Sequence, residues 1–206
     1  MVRIMLLRHC ETELNNEKRC LGKTDISLNN NGRRRAKSLG MQLKDINIGK
    51  IYSSELKRAY ETANKVAEAH ALEVEKLPGL NEINFGKWER LTFDEIKSRD
   101  KEKADEYLNN PLNFRFPDGE TLQELDARVL CALNLILKKH SNANKTVLIV
   151  AHGGTNRIIL GKALNLPLKE HWRIKQDLGC INIIDFFEDF AVVSLMNYTE
   201  SNLKNM

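Results

Sequence analysis

Arg8-His9-Cys10-Glu11-Thr12 stands directly behind the first apolar run of the chain, Val2 to Leu7. That run is too short for a membrane span or for the core of a signal peptide, so it reads as a buried strand. In an open α/β sheet, ligands bind at the carboxyl ends of the strands. An arginine and a histidine side by side at such an end therefore form a candidate ligand site. A capped strand end, with an exposed arginine and a packed histidine, would look the same in isolation. The other strands decide between the two.

Working outward, Lys50-Ile51-Tyr52-Ser53 reads as a second short strand and Val74 to Leu77 as a third, closed by Pro78-Gly79. Thr146 to Val150 is the clearest buried strand, and it ends in Ala151-His152-Gly153-Gly154. Helical spacing appears in Gly32 to Leu43, from a cap at Ser53 or Ser54 to about His70, and in about Asn156 to Leu164. Two capping boxes, Thr92 with Glu95 and Thr121 with Glu124, open a charged helix to about Leu108 and a long amphipathic one. Cys180 to Phe187 and Phe190 to Met196 read as terminal strands joined at Glu188-Asp189, one of them antiparallel at an edge. Strands alternating with helices predict a three-layer αβα sandwich, a mostly parallel sheet with helices on both faces. Residues 1–206 form one domain in this reading, with 90–120 as a lid-like excursion over one edge.

Composition narrows the class without naming a partner. The 206 residues suffice for a core without staples, and 42% hydrophobic with 29% charged residues is ordinary for a globular domain. No run of 18 apolar residues and no leader is visible, so the expected setting is the cytoplasm, away from a membrane. Cys10, Cys20, Cys131 and Cys180 are scattered, which indicates neither a disulfide framework nor a zinc module. The net charge is +4, and the one sharp basic cluster, Arg33-Arg34-Arg35, opens a helix; it reads as a solvated face, not a nucleic-acid patch.

If the sheet is parallel, Arg8-His9, Arg58 and His152 converge at one carboxyl edge. The planar donor fork of arginine matches phosphate oxygens in pairs, and Gly153 and Gly154 allow close backbone approach at a helix start. The set reads as a phosphate pocket. A neutral imidazole can attack phosphorus, and flanking guanidinium groups disfavour the imidazolium while stabilising transferred charge. An alkoxide leaves poorly unless protonated; Glu82 is the candidate donor, with Glu11 and Glu89 competing for the role. No Walker sequence, aspartate cluster or metal-ligand spacing accompanies these residues, so no cofactor or metal is expected. His70 and His140 read as helix-end residues, His171 beside Trp172 as surface packing with a pocket wall as the alternative, and Cys10 as a buried structural thiol.

These residues together resemble the histidine phosphatase superfamily, the phosphoglycerate-mutase-like fold, along nearly the whole chain. The shared markers run through Leu7-Arg8-His9 with Glu11-Thr12 and Asn15, then Gly22, Asp25, Leu28, Gly32, Ser53-Ser54, Leu56, Arg58-Ala59 and Thr62-Ala63. They continue in Glu82, Phe85-Gly86, Trp88-Glu89, Pro117, Gly119-Glu120-Thr121, Arg128 and Ala151-His152-Gly153-Gly154. The resemblance implies His9 as phosphorylated nucleophile and Glu82 as proton donor. It implies Arg8, Asn15, Gly22, Arg58, His152 and Gly153 around the phosphate. One departure stands inside the signature: Cys10 occupies a position where the family usually has glycine.

The mutases of that superfamily carry a longer insertion after the acid. Here Phe85-Gly86-Lys87-Trp88-Glu89 takes the phosphatase-like form, which implies water as final acceptor. Compact length and Phe116-Pro117-Asp118-Gly119-Glu120-Thr121 are most similar to the alpha-ribazole phosphatases of cobalamin nucleotide-loop assembly. The expectation is a metal-independent phosphomonoesterase acting on a small phosphorylated metabolite. Broad-specificity, phosphoserine or phosphoglycerate phosphatases are the alternatives, with mutases and non-catalytic sensors less favoured. A homodimer is left open.

Overall fold

The computed structural model describes residues 1–141 and 145–200. Six strands form one sheet: β1 (Val2–Arg8), β2 (Ile48–Ser53), β3 (Val74–Lys76), β4 (Thr146–Ala151), β5 (Ile181–Phe186) and β6 (Ala191–Tyr198), in the order β3-β2-β4-β1-β5-β6. β1, β4, β2 and β3 pair in parallel, so their carboxyl ends share one edge. The αβα expectation holds. One detail differs: the antiparallel strand is β5, second from the edge, while β6 turns back to run with β1. The cause is the tight hairpin closed by the Phe187 N–H on the Phe190 carbonyl, which forces β6 antiparallel to β5.

The period of two in the central strands decides which helices cover which face. Ile4, Leu6, Val147, Ile149 and Ala151 face a core shared with α6 (Leu122–Lys139) and α7 (Gly153–Ala163). Met5, Leu7, Leu148 and Val150 face the opposite core, shared with α2 (Asn30–Leu43) and α3 (Lys57–His70). The loop after β1 carries the one-turn α1 (Glu13–Asn16).

Two helix boundaries depart from the sequence reading. α3 starts at Lys57 behind an extended Leu56, not at a serine cap, because Ser54 is used elsewhere. The charged helix after Thr92 is two helices, α4 (Phe93–Arg99) and α5 (Lys101–Asn109); Asp100 breaks the run and accepts the Lys103 N–H at 3.0 Å, capping the second. Both pack through Ile96 and Ala104 into the core containing α6. Trp88, Tyr107, Phe114 and Phe116 form a ring cluster there, with centroids 5.2 to 5.6 Å apart. Gly86 lies against this cover at φ +55, where a Cβ would stand 2.0 Å from the Pro117 carbonyl oxygen, so only glycine fits.

Candidate active site

The parallel sheet brings Arg8, His9, Arg58 and His152 together at the carboxyl ends of β1, β2 and β4. His9 continues β1, its N–H donating to the Ala151 carbonyl at 2.9 Å. Its Nδ1 lies 2.7 Å from the Cys10 carbonyl, which can only accept, so the ring proton sits on Nδ1 and Nε2 keeps a lone pair. Burial, then Arg58 and then Arg8, hold the His9 pKa well below the usual histidine value.

His152, just beyond β4, lies with its ring centroid 5.1 Å from that of His9. Its Nε2 is 2.7 Å from the Ser54 hydroxyl, whose oxygen also accepts the Leu56 N–H at 3.1 Å. With that hydroxyl donating to Nε2, the ring proton sits on Nδ1. Burial is again the main reason its pKa is well below normal, followed by Arg58 and His9.

Arg58 is fully buried, and burial lowers its pKa to about 10. One edge of its guanidinium donates to the carbonyls of Thr24 (2.8 Å) and Gly22 (2.7 Å). Arg8 donates from Nη1 to the Gln176 carbonyl at 2.5 Å. These bonds leave three buried nitrogens without a partner among the described residues: Nε of Arg8, Nε of Arg58 and Nδ1 of His152. Buried donors are rarely left unpaired, and three at one sheet edge beside a histidine lone pair suit a phosphoryl group.

Glu82 reaches the same edge from the loop after β3. Its Oε2 accepts the Gly154 N–H at 2.9 Å and its Oε1 the Ile83 N–H at 3.0 Å, leaving each oxygen room for another bond. The Gly154 N–H is thus committed to Glu82, not free for an anion as the motif suggested. The competing acids are tied down. Glu89 accepts from the backbone of Gly22, Lys23, Thr24 and Phe85 and from the Thr24 hydroxyl. Glu11 is bound to Asn16, Asn29 and Asn31.

Asn15 accepts the Thr12 N–H and hydroxyl on Oδ1, so only its amide nitrogen remains for a ligand. Gly22 contributes through its carbonyl to Arg58, its own N–H being used by Glu89. A Cβ on Gly22 would stand 1.9 Å from the Ile83 carbonyl oxygen. Cys10 is buried, its thiol beside Gly179, and burial pushes its pKa up to about 12. Of the two readings of His171, the structure bears out the pocket wall: it is buried and lines an apolar cleft with Ile83, Phe85, Tyr107, Phe116 and Trp172, next to Gly154. Among the described residues, no group of three or more His, Cys, Asp and Glu is arranged to hold a metal.

Sequence reasoning counted Glu120 and Arg128 among the shared markers but gave neither a part in placing Glu82, and it did not single out Thr155. Arg128, on α6, donates to the carbonyls of Gly79, Asn81 and Glu82 while its guanidinium pairs with Glu120 at 2.8 and 2.9 Å. Thr155 adds a hydroxyl donor to the Asn81 carbonyl at 3.0 Å. The resemblance marked Arg128, but its place on a long amphipathic helix did not link it to the loop of Glu82. Ser54 was visible, but as a helix cap.

Comparison with known proteins shows the family of the chain. A model of the histidine phosphatase superfamily (branch 1) matches residues 4–199. Phosphoserine phosphatase 1 of Hydrogenobacter thermophilus is 33% identical over 97% of this chain and 93% of its own length. The adenosylcobalamin/alpha-ribazole phosphatase of Salmonella typhimurium is 30% identical over 95% of this chain and 96% of its own. The crystal structure of a mutant of Entamoeba histolytica phosphoserine phosphatase in complex with phosphoserine superposes with a TM-score of 0.84 at 30% identity, over 97% of this chain and 98% of that one.

Proposed function

The chain belongs to the histidine phosphatase superfamily and is a phosphatase, and from that premise we propose that it hydrolyses phosphomonoesters through a phosphohistidine on Nε2 of His9. The observation that carries this reading is that the His9 lone pair and three unpartnered buried N–H groups meet at one sheet edge. Arg8, Arg58 and the Nδ1–H of His152 bind the phosphoryl oxygens, joined by the Gly153 N–H and the Asn15 amide. The ester P–O bond breaks as the Nε2–P bond forms, and Glu82 gives its proton to the leaving oxygen. Water then attacks phosphorus, returns a proton to Glu82 and frees His9. No step calls for a metal, because the guanidinium groups carry the charge stabilisation.

Alpha-ribazole 5'-phosphate is the substrate we favour. Phe85, Tyr107, Phe116 and Trp172 line a cleft of only about 20 Å³ beside Gly154, so they offer a leaving-group ring an apolar surface to lie against and not a pocket that encloses it. The Salmonella relative named for that substrate supports it. Phosphoserine is the second reading, favoured by the 33% identical Hydrogenobacter enzyme. Four free cysteines suit a reducing cytoplasmic setting.

The test is phosphate release in chelator from alpha-ribazole 5'-phosphate, phosphoserine, both phosphoglycerates and an aryl phosphate. A kcat/KM for the ribazole ester at least tenfold above the others is expected. A preference for phosphoserine would move the protein to the second reading, and comparable rates would leave a general phosphatase.

A further inference from the structure

Trp172 is one of two tryptophans in the chain. Trp88 is buried in the aromatic cluster, whereas Trp172 is 49% exposed and forms the outer wall of the apolar cleft beside Gly154. The indole is nonetheless held. The Arg157 guanidinium carbon lies 5.0 Å from its ring centre, and the His171 ring contacts it at 4.4 Å between centroids. Arg157 is fixed in turn by its Nε–H donating to the Ile174 carbonyl at 2.8 Å.

Arg157 also ties the indole to the phosphoryl-binding groups. A Cβ built on Gly153 would stand 3.5 Å from Nη1 of Arg157 and 3.4 Å from Cζ of Arg8. The Arg157 guanidinium thus reaches from the indole to the neighbourhood of Arg8 and Gly153. A cation against an indole face is the strongest pairing of its kind, and it fixes the ring before any ligand arrives. Such preorganisation lowers the entropy cost of stacking on the part of the ring still open to solvent. Stacking asks only for a flat π-system, whatever its edge chemistry.

We propose that Trp172, held by Arg157 and His171, is the leaving-group platform of this site. It takes a flat heteroaromatic ring carried by the ester whose phosphoryl group lies at His9. The proposal rests on the phosphomonoesterase reading and deepens it by naming the ring as the part recognised outside the phosphate pocket.

The experiment compares wild-type protein with Trp172→Ala and Trp172→Phe. The substrates are two ring-bearing esters, alpha-ribazole 5'-phosphate and adenosine 5'-monophosphate, and two without a ring, phosphoserine and glycerol phosphate. Trp172→Ala is expected to lower kcat/KM for the better ring-bearing ester at least tenfold, mainly through KM. The ring-free esters should stay within about twofold, and Trp172→Phe should regain most of the loss. Equal losses on both kinds of ester, or none on either, would overturn the platform.

A binding measurement separates this from failure of the catalytic reading. In His9→Ala protein, either ring-bearing ester should quench the exposed tryptophan emission, and phosphoserine should not. Quenching without turnover in the wild type would sink the catalytic reading and leave the platform standing. Turnover of ring-bearing esters without quenching would do the reverse.

Discussion

His9 and His152 face each other with ring centroids 5.1 Å apart and present opposite chemistry to the space between them. The Nδ1–H of His9 is used on the Cys10 carbonyl, so Nε2 offers a lone pair. In His152 the Nε2 is used on Ser54, so Nδ1 offers a proton. Two identical side chains thus become an electron-pair donor and a hydrogen-bond donor through the partner each finds behind it. Were both partners carbonyls, both rings would present lone pairs and repel a phosphate.

His9→Ala should abolish turnover while leaving phosphate binding, since Arg8, Arg58 and His152 remain. Rapid quenching of the wild type with a phosphorus-labelled substrate should yield an acid-labile phosphoenzyme. Its absence, together with measurable activity in His9→Ala, would show that another group takes the phosphoryl.

Both histidines should be neutral at pH 6, because burial and the arginines lower their pKa values. Above about pH 6.5 neither folded nor unfolded histidines bind protons and this contribution to stability is complete. Below it the unfolded chain takes up protons that the folded one refuses. Each histidine then costs up to about 1.4 kcal/mol per pH unit until its folded pKa is reached. Urea unfolding at pH 7, 6 and 5.5 should show stability falling before the carboxylates titrate. A flat profile over that window would contradict the buried, neutral pair.

Glu82→Gln should keep an acceptor for the Gly154 N–H while removing the transferable proton. An alkyl phosphate, whose leaving group needs protonation, should lose about 10²–10⁴ in rate, and an activated aryl phosphate far less. Equal losses on the two would assign the acid role elsewhere, although Glu11 and Glu89 are both tied down.

How much of this was legible follows from where each signal resides. Val2–Arg8 and Thr146–Ala151 are buried on both faces, so their apolar runs announced parallel central strands. Arg8, His9 and His152 stand next to those runs in sequence, and Arg58 and Glu82 shortly after β2 and β3, so each was placed with its strand. What supports them does not stand so near. Arg128 meets Gly79 and Asn81, 49 and 47 residues away, and Ser54 meets His152, 98 away. Such pairs exist only once the sheet and helices have docked. Asp100 could have been read as a cap inside a charged run, but the capping box at Thr92 invited a single helix.

Arg128 is expected to act on catalysis through Glu82 without touching substrate. Arg128→Lys keeps the charge but cannot hold three carbonyls and a carboxylate at once. About 1.5–3 kcal/mol of stability should be lost with those charged hydrogen bonds. Below the new melting temperature, kcat for an alkyl ester should still fall about tenfold while inhibition by vanadate is little changed. A purely structural role would lower Tm and leave the leaving-group dependence alone.

Cys10 stands where the signature this chain resembles usually has glycine, and its thiol lies beside Gly179 in the core containing α2 and α3. The backbone N–H of Cys10 accepts no change on substitution, since it donates to the Thr62 hydroxyl at 3.1 Å whatever the side chain. Cys10→Gly should therefore leave kcat/KM within about threefold. Loss of a packed thiol and the added freedom of glycine should cost about 1–2 kcal/mol of stability. A thiol reagent should react quickly with the exposed Cys131. It should react slowly with Cys10 and Cys180, whose pKa values burial raises to about 12 and about 11. Rapid labelling of Cys10 in the folded protein, with matching loss of phosphatase activity, would instead make it a redox-sensitive part of the site.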